Sequence, residues 1–298
     1  MTAPKPRLGF IGLGIMGAPM VLRLLDQGYE VFCWNKEPEK SSEVVPAGAK
    51  WLDGPHRVRE ASDIVILCIL DGKAVSSVCF GENGMARALG GASLLIDCST
   101  INPDETQDFA ARLQAEAGMA WVDAPISGGP KLARDGKLII LAGGDKAKVD
   151  QARPVLEDLS ANLTHFGALG AGQTAKIINQ TIVGVNYVLM AETLVMAEKA
   201  GIDPALLPGA FAGGASDSRS LQSIFLQMHH ADFDKPNAYA RQLDKDLRNV
   251  REFAEALDLD LPLLRAAVER YAQFVDEGNG MKDSAFISRF YQARMTGK

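Results

Sequence analysis

Residues 8–17 read LGFIGLGIMG, and this stretch decides the fold of the N-terminal half. The apolar run Arg7 to Gly12 predicts a buried strand, and a helical pattern follows from about Ile15 to Gln27. Glycines at the G-x-G-x-x-G spacing permit a tight turn, close approach of a pyrophosphate and close packing of the helix on the strand. The sequence therefore predicts a dinucleotide site formed by Gly12, Leu13, Gly14, Ile15, Met16 and Gly17.

Strand-like and helical patterns alternate along the first half of the chain. Further strand runs are predicted at residues 30–34, 63–69, 93–97, 120–124, 138–143 and 163–166. This alternation is typical of an α/β fold with a doubly wound parallel sheet. A glycine-rich break follows, and then a long central helix over 173–200 and helical patterns to the C-terminus. We expect a dinucleotide-binding domain over 1–167 and an all-helical substrate and dimerisation domain over 168–298.

Composition narrows the function classes. The 298 residues carry a net charge of -6, and Lys and Arg are dispersed, which argues against nucleic acid as a partner. The four cysteines occur singly and without metal-ligand spacing, so no metal site is expected. No uninterrupted apolar run of bilayer length is visible in the sequence, and we expect a cytoplasmic protein without a membrane partner.

The end of the second strand bears on coenzyme choice. An acidic residue at this place would accept hydrogen bonds from the ribose of NAD, whereas this chain has Asn35 and Lys36. An amide can donate to a 2'-phosphate and an ammonium can neutralise it, so the pair favours NADP, with NAD possible. The alternative is that Asn35 only opens the turn before Pro38 and Lys36 is a solvated charge.

Two more strand ends should lie at the same edge of the sheet. Ile69 and Leu70 follow the fourth strand, and Thr100 follows the fifth. In open α/β sheets ligands bind outside the carboxyl ends of the strands, which predicts that these residues contact the cofactor. For Thr100, a role as the cap of the helix that Pro103 begins competes with this interpretation.

Two further segments indicate a substrate site. Ser127, Gly128 and Gly129 form a loop whose hydroxyl and backbone N–H groups can hold a carboxylate, although a plain loop explains the pattern equally well. Lys176 and Asn179 lie three residues apart on the predicted central helix and share a face, so the amide can hold the ammonium during proton exchange. The alternative for Lys176 is an ordinary solvated lysine.

In this order and at these intervals, the segments resemble the β-hydroxyacid dehydrogenase family, which includes 3-hydroxyisobutyrate dehydrogenases and tartronate semialdehyde reductases. The resemblance rests on residues 9–20, 97–100, 123–129, 170–179 and 245–247. It implies a Rossmann-type N-terminal domain, and a helical C-terminal domain that pairs subunits into a homodimer or homotetramer. It also implies a small carboxylate substrate and specific roles: Lys176 as general acid or base, Asn179 as its orienting residue, Ser127, Gly128 and Gly129 as the carboxylate cradle, and Lys245 beside the nicotinamide.

Some positions refine or qualify the resemblance. Gly213-Gly214 followed by Ser218-Arg219 looks most similar to the tartronate semialdehyde reductase branch and places Ser218 at the substrate, although Ser218 can instead cap a helix. Gln180 stands where many members carry a second Asn, and Leu70 where a Pro often follows. The competing functions are an imine reductase, which usually replaces the catalytic lysine, and a catalytically silent NADP-binding scaffold or sensor.

Overall fold

A computed structural model of the chain describes residues 4–295. It divides into two units, with the boundary between Lys176 and Ile177. The first unit is an α/β domain built on one sheet, and the second consists of helices. The fold class predicted from the sequence, a Rossmann-type sheet followed by a helical domain, is confirmed.

The sheet of the first unit contains nine strands in the described residues, in the order β3-β2-β1-β4-β5-β6-β8-β7, with β9 also paired to β8. Strands β1 to β6 run parallel, whereas β8 is antiparallel to β6 and β7. The sheet is therefore mixed at this end, and the two-residue strands β3 and β7 are too short to leave a pattern in the sequence. The strands are β1 Leu8–Ile11, β2 Val31–Trp34, β3 Lys50–Trp51, β4 Ile64–Leu67, β5 Leu94–Asp97, β6 Ala120–Asp123, β7 Ile126–Ser127, β8 Leu138–Gly143 and β9 Ser160–Gly167.

Helices cover both faces of this sheet. Because side chains alternate along a strand, Leu8 and Phe10 of β1 pack into the core that includes α1 and α6, while Ile11 packs into the core that includes α2, α3 and α4. Burial on both faces explains why the parallel strands are continuous apolar runs. The helices are α1 Gly17–Asp26, α2 Pro55–Ala61, α3 Gly72–Phe80, α4 Pro103–Ala117, α5 Gly129–Arg134 and α6 Lys146–Leu159.

The long helix α7, Ala171–Lys199, contains the boundary between the units, and its later turns pack in the core of the second unit. A Cβ on Gly184 would lie 2.3 Å from Cδ2 of Leu247, so the glycine lets the helix that carries Leu247 pack closely on α7. Single π-helical turns at Ser220–Phe225 and Val275–Asn279 interrupt the helical pattern. The other helices are α8 Leu207–Phe211, α9 Leu226–His230, α10 Ala240–Ala256, α11 Pro262–Phe274 and α12 Ile287–Met295.

Helix α7 is of bilayer length, although polar residues such as Asn179 and Glu192 interrupt its apolar run. Its 29 residues are long and apolar enough, by length and composition, to cross a membrane, and 44% of its most apolar window is buried within the structure. The same properties are typical of a helix in a protein core. The buried face carries Ala191 and Leu194, and the exposed Glu192 accepts a hydrogen bond from the Tyr291 hydroxyl at 2.9 Å.

The cysteines of the first unit are free thiols. Cys33, Cys68 and Cys98 lie in or next to strands, and Cys79 lies in α3. Burial raises the pKa of Cys33 to about 11 and that of Cys68 to about 12, because a thiolate would lose its hydration. Both groups are therefore protonated at neutral pH. Since the thiolate is the nucleophilic form, these cysteines are chemically inert in the folded protein.

Candidate active site

The glycine-rich loop between β1 and α1 combines two tight contacts with one open space. Gly12 has φ +104°, and a Cβ there would lie 2.3 Å from the Cys68 carbonyl oxygen. A Cβ on Gly17 would lie 1.8 Å from the Gly12 carbonyl oxygen. At Gly14, by contrast, a Cβ would meet nothing within 4 Å. The first two glycines therefore serve packing, and Gly14 leaves room for a ligand to approach the backbone.

Helix α1 also differs from its neighbours in how its N-terminus is satisfied. The Asp71 carboxylate caps α3 by accepting from Ala74 N at 2.8 Å, and the Asn102 side chain caps α4 by accepting from Asp104 N at 2.8 Å. No side chain caps α1, whose N-cap residue is Met16. Ala18 N donates to the Gly14 carbonyl oxygen at 3.1 Å and Pro19 has no N–H, so an anion here would meet the N–H groups of the loop that precede Ala18. This arrangement fits the pyrophosphate of a dinucleotide.

Asn35 has a different role from the one expected of it. Its Oδ1 accepts from Leu13 N at 2.8 Å, and its Nδ2 donates to Glu37 Oε2 at 2.9 Å and to the Glu37 carbonyl oxygen at 3.1 Å. The amide therefore ties the glycine-rich loop to the end of β2. This corrects the idea that Asn35 donates to a 2'-phosphate, because in this structure its N–H groups already serve Glu37. The alternative, that Asn35 only opens a turn, does not account for its hydrogen bond with Leu13 N.

Lys36 and Glu37 follow at the same end of β2, and both are exposed. Lys36 makes no ion pair with any residue from 4 to 295, so its ammonium can meet an incoming phosphate. Sequence reasoning passed over Glu37, although its position two residues after Asn35 was visible. The end of β2 therefore offers one positive and one negative side chain.

Among the other predicted cofactor residues, Ile69 packs beside the same loop. A Cβ on Gly12 would lie 2.6 Å from Cγ2 of Ile69, so Ile69 packs beside the loop, and Leu70 after it is 40% exposed. Ile69 N donates to Ser99 Oγ at 3.1 Å, which joins the ends of β4 and β5. Thr100 follows Ser99 directly in the chain. The cap of α4 is Asn102 and not Thr100, which removes the competing interpretation of Thr100 as a helix cap.

A buried carboxylate fixes the start of α7 to the sheet. Asp123, at the end of β6, is fully buried, and it accepts from Gly170 N and Gln173 N at 2.9 Å each. Burial raises the pKa of Asp123 and the amide donors oppose that rise. The side chain of Gln173 adds a second link by donating to the Ser99 carbonyl oxygen at 2.9 Å and accepting from Ile101 N at 3.2 Å.

Glycines allow this close approach of α7 to the sheet. A Cβ on Gly143 would lie 2.6 Å from both Asp123 Oδ1 and Gly172 N. A Cβ on Gly172 would lie 2.3 Å from the Leu141 carbonyl oxygen. Neither position has space for a larger residue. The Gly170-Ala171-Gly172 segment, read in the sequence as a break, is the place where α7 contacts β8.

Lys176 lies one turn further along α7 and is only 6% exposed. Its Nζ donates to the Ile126 carbonyl oxygen at 2.9 Å. The alternative of a solvated surface lysine is therefore wrong. The contact places the ammonium beside the loop that begins with Ser127, so the structure brings together the residues predicted for the carboxylate cradle and for acid–base chemistry.

The loop itself contains two glycines in conformations that L side chains rarely adopt. Gly128 and Gly129 both have positive φ, +139° and +81°, and α5 begins at Gly129 without a side-chain cap. A Cβ on Gly129 would meet nothing within 4 Å. Consecutive backbone N–H groups in such a turn form a concavity that suits a carboxylate. Ser127, the last residue of β7, stands at its entrance and is partly exposed.

A chain of hydrogen bonds in the second unit links four predicted or neighbouring residues. Asn179 Nδ2 donates to Gln180 Oε1 at 2.9 Å, and Gln180 Nε2 donates to Asp246 Oδ2 at 2.6 Å. Lys245 Nζ forms an ion pair with Asp246 Oδ1 at 2.7 Å. Gln180 thus uses its longer side chain to reach α10. The pairing of Asn179 with Lys176 and the place of Lys245 beside the nicotinamide stay predictions.

Ser218 lies in an exposed segment between α8 and the π-helical turn. Its hydroxyl accepts from Leu221 N at 3.1 Å, so Ser218 acts as a helix cap in this structure. The adjacent Asp217 holds the segment by accepting from Gly213 N at 2.8 Å, and this bond lowers the pKa of the Asp217 carboxyl. Contact of Ser218 with a substrate stays a prediction.

Comparison with known proteins agrees with this geometry. The family model for the NAD binding domain of 6-phosphogluconate dehydrogenase matches residues 7–167, and the model for the NAD-binding region of NADP-dependent 3-hydroxyisobutyrate dehydrogenase matches residues 170–291. The 2-hydroxy-3-oxopropionate reductase of Escherichia coli is 37% identical over 94% of this chain and 95% of its own length. The chain belongs to the β-hydroxyacid dehydrogenase family. It is therefore an NAD(P)-dependent oxidoreductase.

Other β-hydroxyacid dehydrogenases show the same similarity. The 3-hydroxyisobutyrate dehydrogenase of Pseudomonas aeruginosa is 33% identical over 96% of this chain and 99% of its own. A Mycobacterium tuberculosis 3-hydroxyisobutyrate dehydrogenase, solved with L-serine, superposes with a TM-score of 0.86 at 29% identity, covering 97% of this chain and 100% of that one. Both comparisons span the two units.

We expect replacement of Asp123 by Ala to destabilise the first unit by about 2–4 kcal/mol, because two buried N–H groups at the start of α7 lose their acceptor. Asp123→Asn, which keeps one acceptor oxygen and the volume, should cost less. The measurement is the free energy of unfolding in urea. As a control, Asp145→Ala removes an exposed cap of α6 and should cost about 1 kcal/mol. Equal losses for Asp123→Ala and Asp145→Ala would contradict the anchoring role.

Proposed function

We propose that the protein is an NADP-preferring reductase or dehydrogenase acting on a small β-hydroxy acid and its semialdehyde, of the tartronate semialdehyde or 3-hydroxyisobutyrate type. The observation that carries the proposal is the buried Lys176 ammonium, 2.9 Å from the Ile126 carbonyl oxygen and next to the loop Ser127–Gly129. A cation beside an anion cradle suits a substrate with a carboxylate near its reacting oxygen. The names of the Escherichia coli and Pseudomonas aeruginosa relatives support the same substrate class.

The chain would hold the cofactor at the carboxyl edge of the sheet. The uncapped N-terminus of α1 would bind the pyrophosphate, with Gly14 leaving the space for it. Lys36 would attract the 2'-phosphate of NADP, which is the reason to prefer that coenzyme. Ile69, Leu70 and Thr100 would line the same edge. When bound, the nicotinamide supplies or accepts the hydride.

Lys176 would carry the proton in this reaction. In the direction of reduction, the hydride adds to the aldehyde carbon and the carbonyl oxygen gains negative charge. The Lys176 ammonium stabilises that charge and transfers a proton to the oxygen, which yields the alcohol and a neutral amine. Oxidation of the alcohol reverses each step. The backbone N–H groups of Gly128 and Gly129, with the Ser127 hydroxyl, would hold the substrate carboxylate during both.

Residues of the second unit have proposed roles as well. Asn179 would orient Lys176, and its own amide is held by Gln180 and through it by Asp246. The same carboxylate binds Lys245, which we propose lies beside the nicotinamide when the cofactor is bound. Gln180 on α7 and Lys245 on α10 both contact Asp246. These shared contacts would fix the distance between the two side chains. Ser218 would contribute a hydroxyl to the substrate from its exposed segment.

A second copy of this chain is the partner that we propose for the exposed face of α7. Four apolar side chains at intervals of four, seven and seven residues form one stripe, and each is 47–67% exposed: Ile178, Ile182, Leu189 and Met196. This spacing is that of helices that pair along a seam. The exposed Glu192 on the same helix, which binds Tyr291, suits a protein partner better than lipid.

Lys176→Ala should lower kcat by about 10²–10⁴-fold, because the proton would have to come from water. Binding of NADPH, followed by its fluorescence, should stay within about twofold, since the site of the dinucleotide lies at α1. Lys199→Ala on the last turn of α7 is the matched control and should leave both quantities unchanged. Turnover by Lys176→Ala close to that of the unaltered enzyme would remove the proposed acid–base role.

A substrate panel tests the reaction class directly. Oxidation of NADPH would be followed at a fixed enzyme concentration with tartronate semialdehyde, succinic semialdehyde, methylmalonate semialdehyde and a cyclic imine. We expect the highest kcat/KM with one of the short semialdehydes, whose carboxylate reaches the Ser127–Gly129 loop. Preference for the imine would replace the proposal by an imine reductase, and no oxidation with any compound would favour a binding protein.

Gel filtration with light-scattering detection tests whether a second copy of this chain is the partner. We expect the chain to elute at two or four times its 31.9 kDa. Leu189→Lys should shift it to the monomer because a buried unpaired ammonium is costly. The control Ala266→Lys adds the same charge to an exposed position on α11 and should leave the assembly intact. A monomeric parent chain, or no effect of Leu189→Lys, would contradict this proposal.

A further inference from the structure

The carboxylate of Glu37 is held in a defined place at the end of β2. Its Oε2 accepts from Asn35 Nδ2 at 2.9 Å, and Asn35 is itself bound to Leu13 N of the glycine-rich loop. Glu37 also precedes the short 3-10 turn Pro38–Ser42, which begins with a proline and fixes the backbone there. The acidic group is therefore coupled, through one amide, to the loop that would bind the dinucleotide.

This placement has a chemical consequence for the ribose of the cofactor. In folds of this type, a carboxylate at the end of the second strand accepts hydrogen bonds from the ribose hydroxyls of NAD, whereas a cation there meets the 2'-phosphate of NADP. Asn35 cannot fill the first role because it is committed to Leu13 and Glu37. We infer that Glu37 is the residue that accepts from the ribose of NAD and that disfavours the 2'-phosphate.

Lys36 and Glu37 then act in opposite directions on the same group. Lys36 attracts the 2'-phosphate and Glu37 repels it, so the coenzyme preference is the difference between the two. This inference deepens the proposed function, on which it rests for the position of the dinucleotide. It predicts an enzyme that accepts both coenzymes and whose preference for NADP is held below the level that Lys36 alone would give.

The test measures binding of two probes, 2',5'-ADP and 5'-AMP, to the full chain by calorimetry at low ionic strength. The readout is the ratio of the two dissociation constants, which reports the 2'-phosphate and does not require turnover. Glu37→Gln keeps an oxygen that can accept from Asn35 and removes the charge. It should change the ratio about five- to tenfold in favour of 2',5'-ADP, as expected for one charge near a phosphate at a protein surface.

The matched control is Glu39→Gln, which removes the same charge two residues further along, from an exposed side chain. It should change the ratio by less than about twofold, because the repulsion between two charges falls with the distance between them. No change with Glu37→Gln, or equal changes with both variants, would overturn the inference.

The variant Lys36→Gln separates the role inferred for Glu37 from the role proposed for Lys36 in the preference for NADP. It should weaken 2',5'-ADP about five- to tenfold and leave 5'-AMP nearly unaffected. If Lys36→Gln has no effect while Glu37→Gln does, the reason for preferring NADP is lost and the role of Glu37 stands. If neither probe binds the parent chain, the proposed dinucleotide site is wrong, and the role of Glu37 falls with it.

Discussion

The carboxylate of Asp123 anchors the start of helix α7, which carries Lys176. It accepts two backbone hydrogen bonds at the start of α7, and it does so without solvent, at the end of a central strand. A buried carboxylate is costly, as its raised pKa shows, and amide donors offset that cost. Because an α-helix is stiff over a few turns, fixing Gly170 and Gln173 also fixes Lys176 relative to the loop after β7. The position of the Lys176 ammonium thus depends on a buried carboxylate that lies elsewhere in the sequence.

Two kinds of helix N-terminus meet at this edge of the sheet. Side chains satisfy the N–H groups of α3, α4 and α7, through Asp71, Asn102 and Asp123. The termini of α1 and α5 have no such cap and begin at glycines. The N-termini of α3, α4 and α7 are therefore satisfied by side chains of the protein, whereas no side chain satisfies those of α1 and α5. We propose that the pyrophosphate binds at the start of α1 and that the substrate carboxylate binds at the loop before α5.

The sequence predicted the features that have a local cause. The G-x-G-x-x-G loop, the strands buried on both faces and the long helix α7 each leave a pattern within a few residues, and the fold class followed from them. The roles of Asn35, Glu37 and Gln173 could not be read in this way, because each depends on partners brought near by the fold, such as Leu13 or Ile101. Likewise, the burial of Lys176 depends on contacts distant in sequence, so a helical pattern alone could not separate it from a solvated lysine.

A crystal structure of the chain with NADP and a small β-hydroxy acid, such as glycerate, tests the proposed chemistry most directly. The Lys176 ammonium should lie within about 3 Å of the substrate hydroxyl oxygen, a hydrogen-bonding distance. The substrate carboxylate should be held by the N–H groups of Gly128 and Gly129, and Asp123 should keep its bonds to the start of α7. A substrate bound with its hydroxyl away from Lys176, or a carboxylate held outside the Ser127–Gly129 loop, would contradict the assignment.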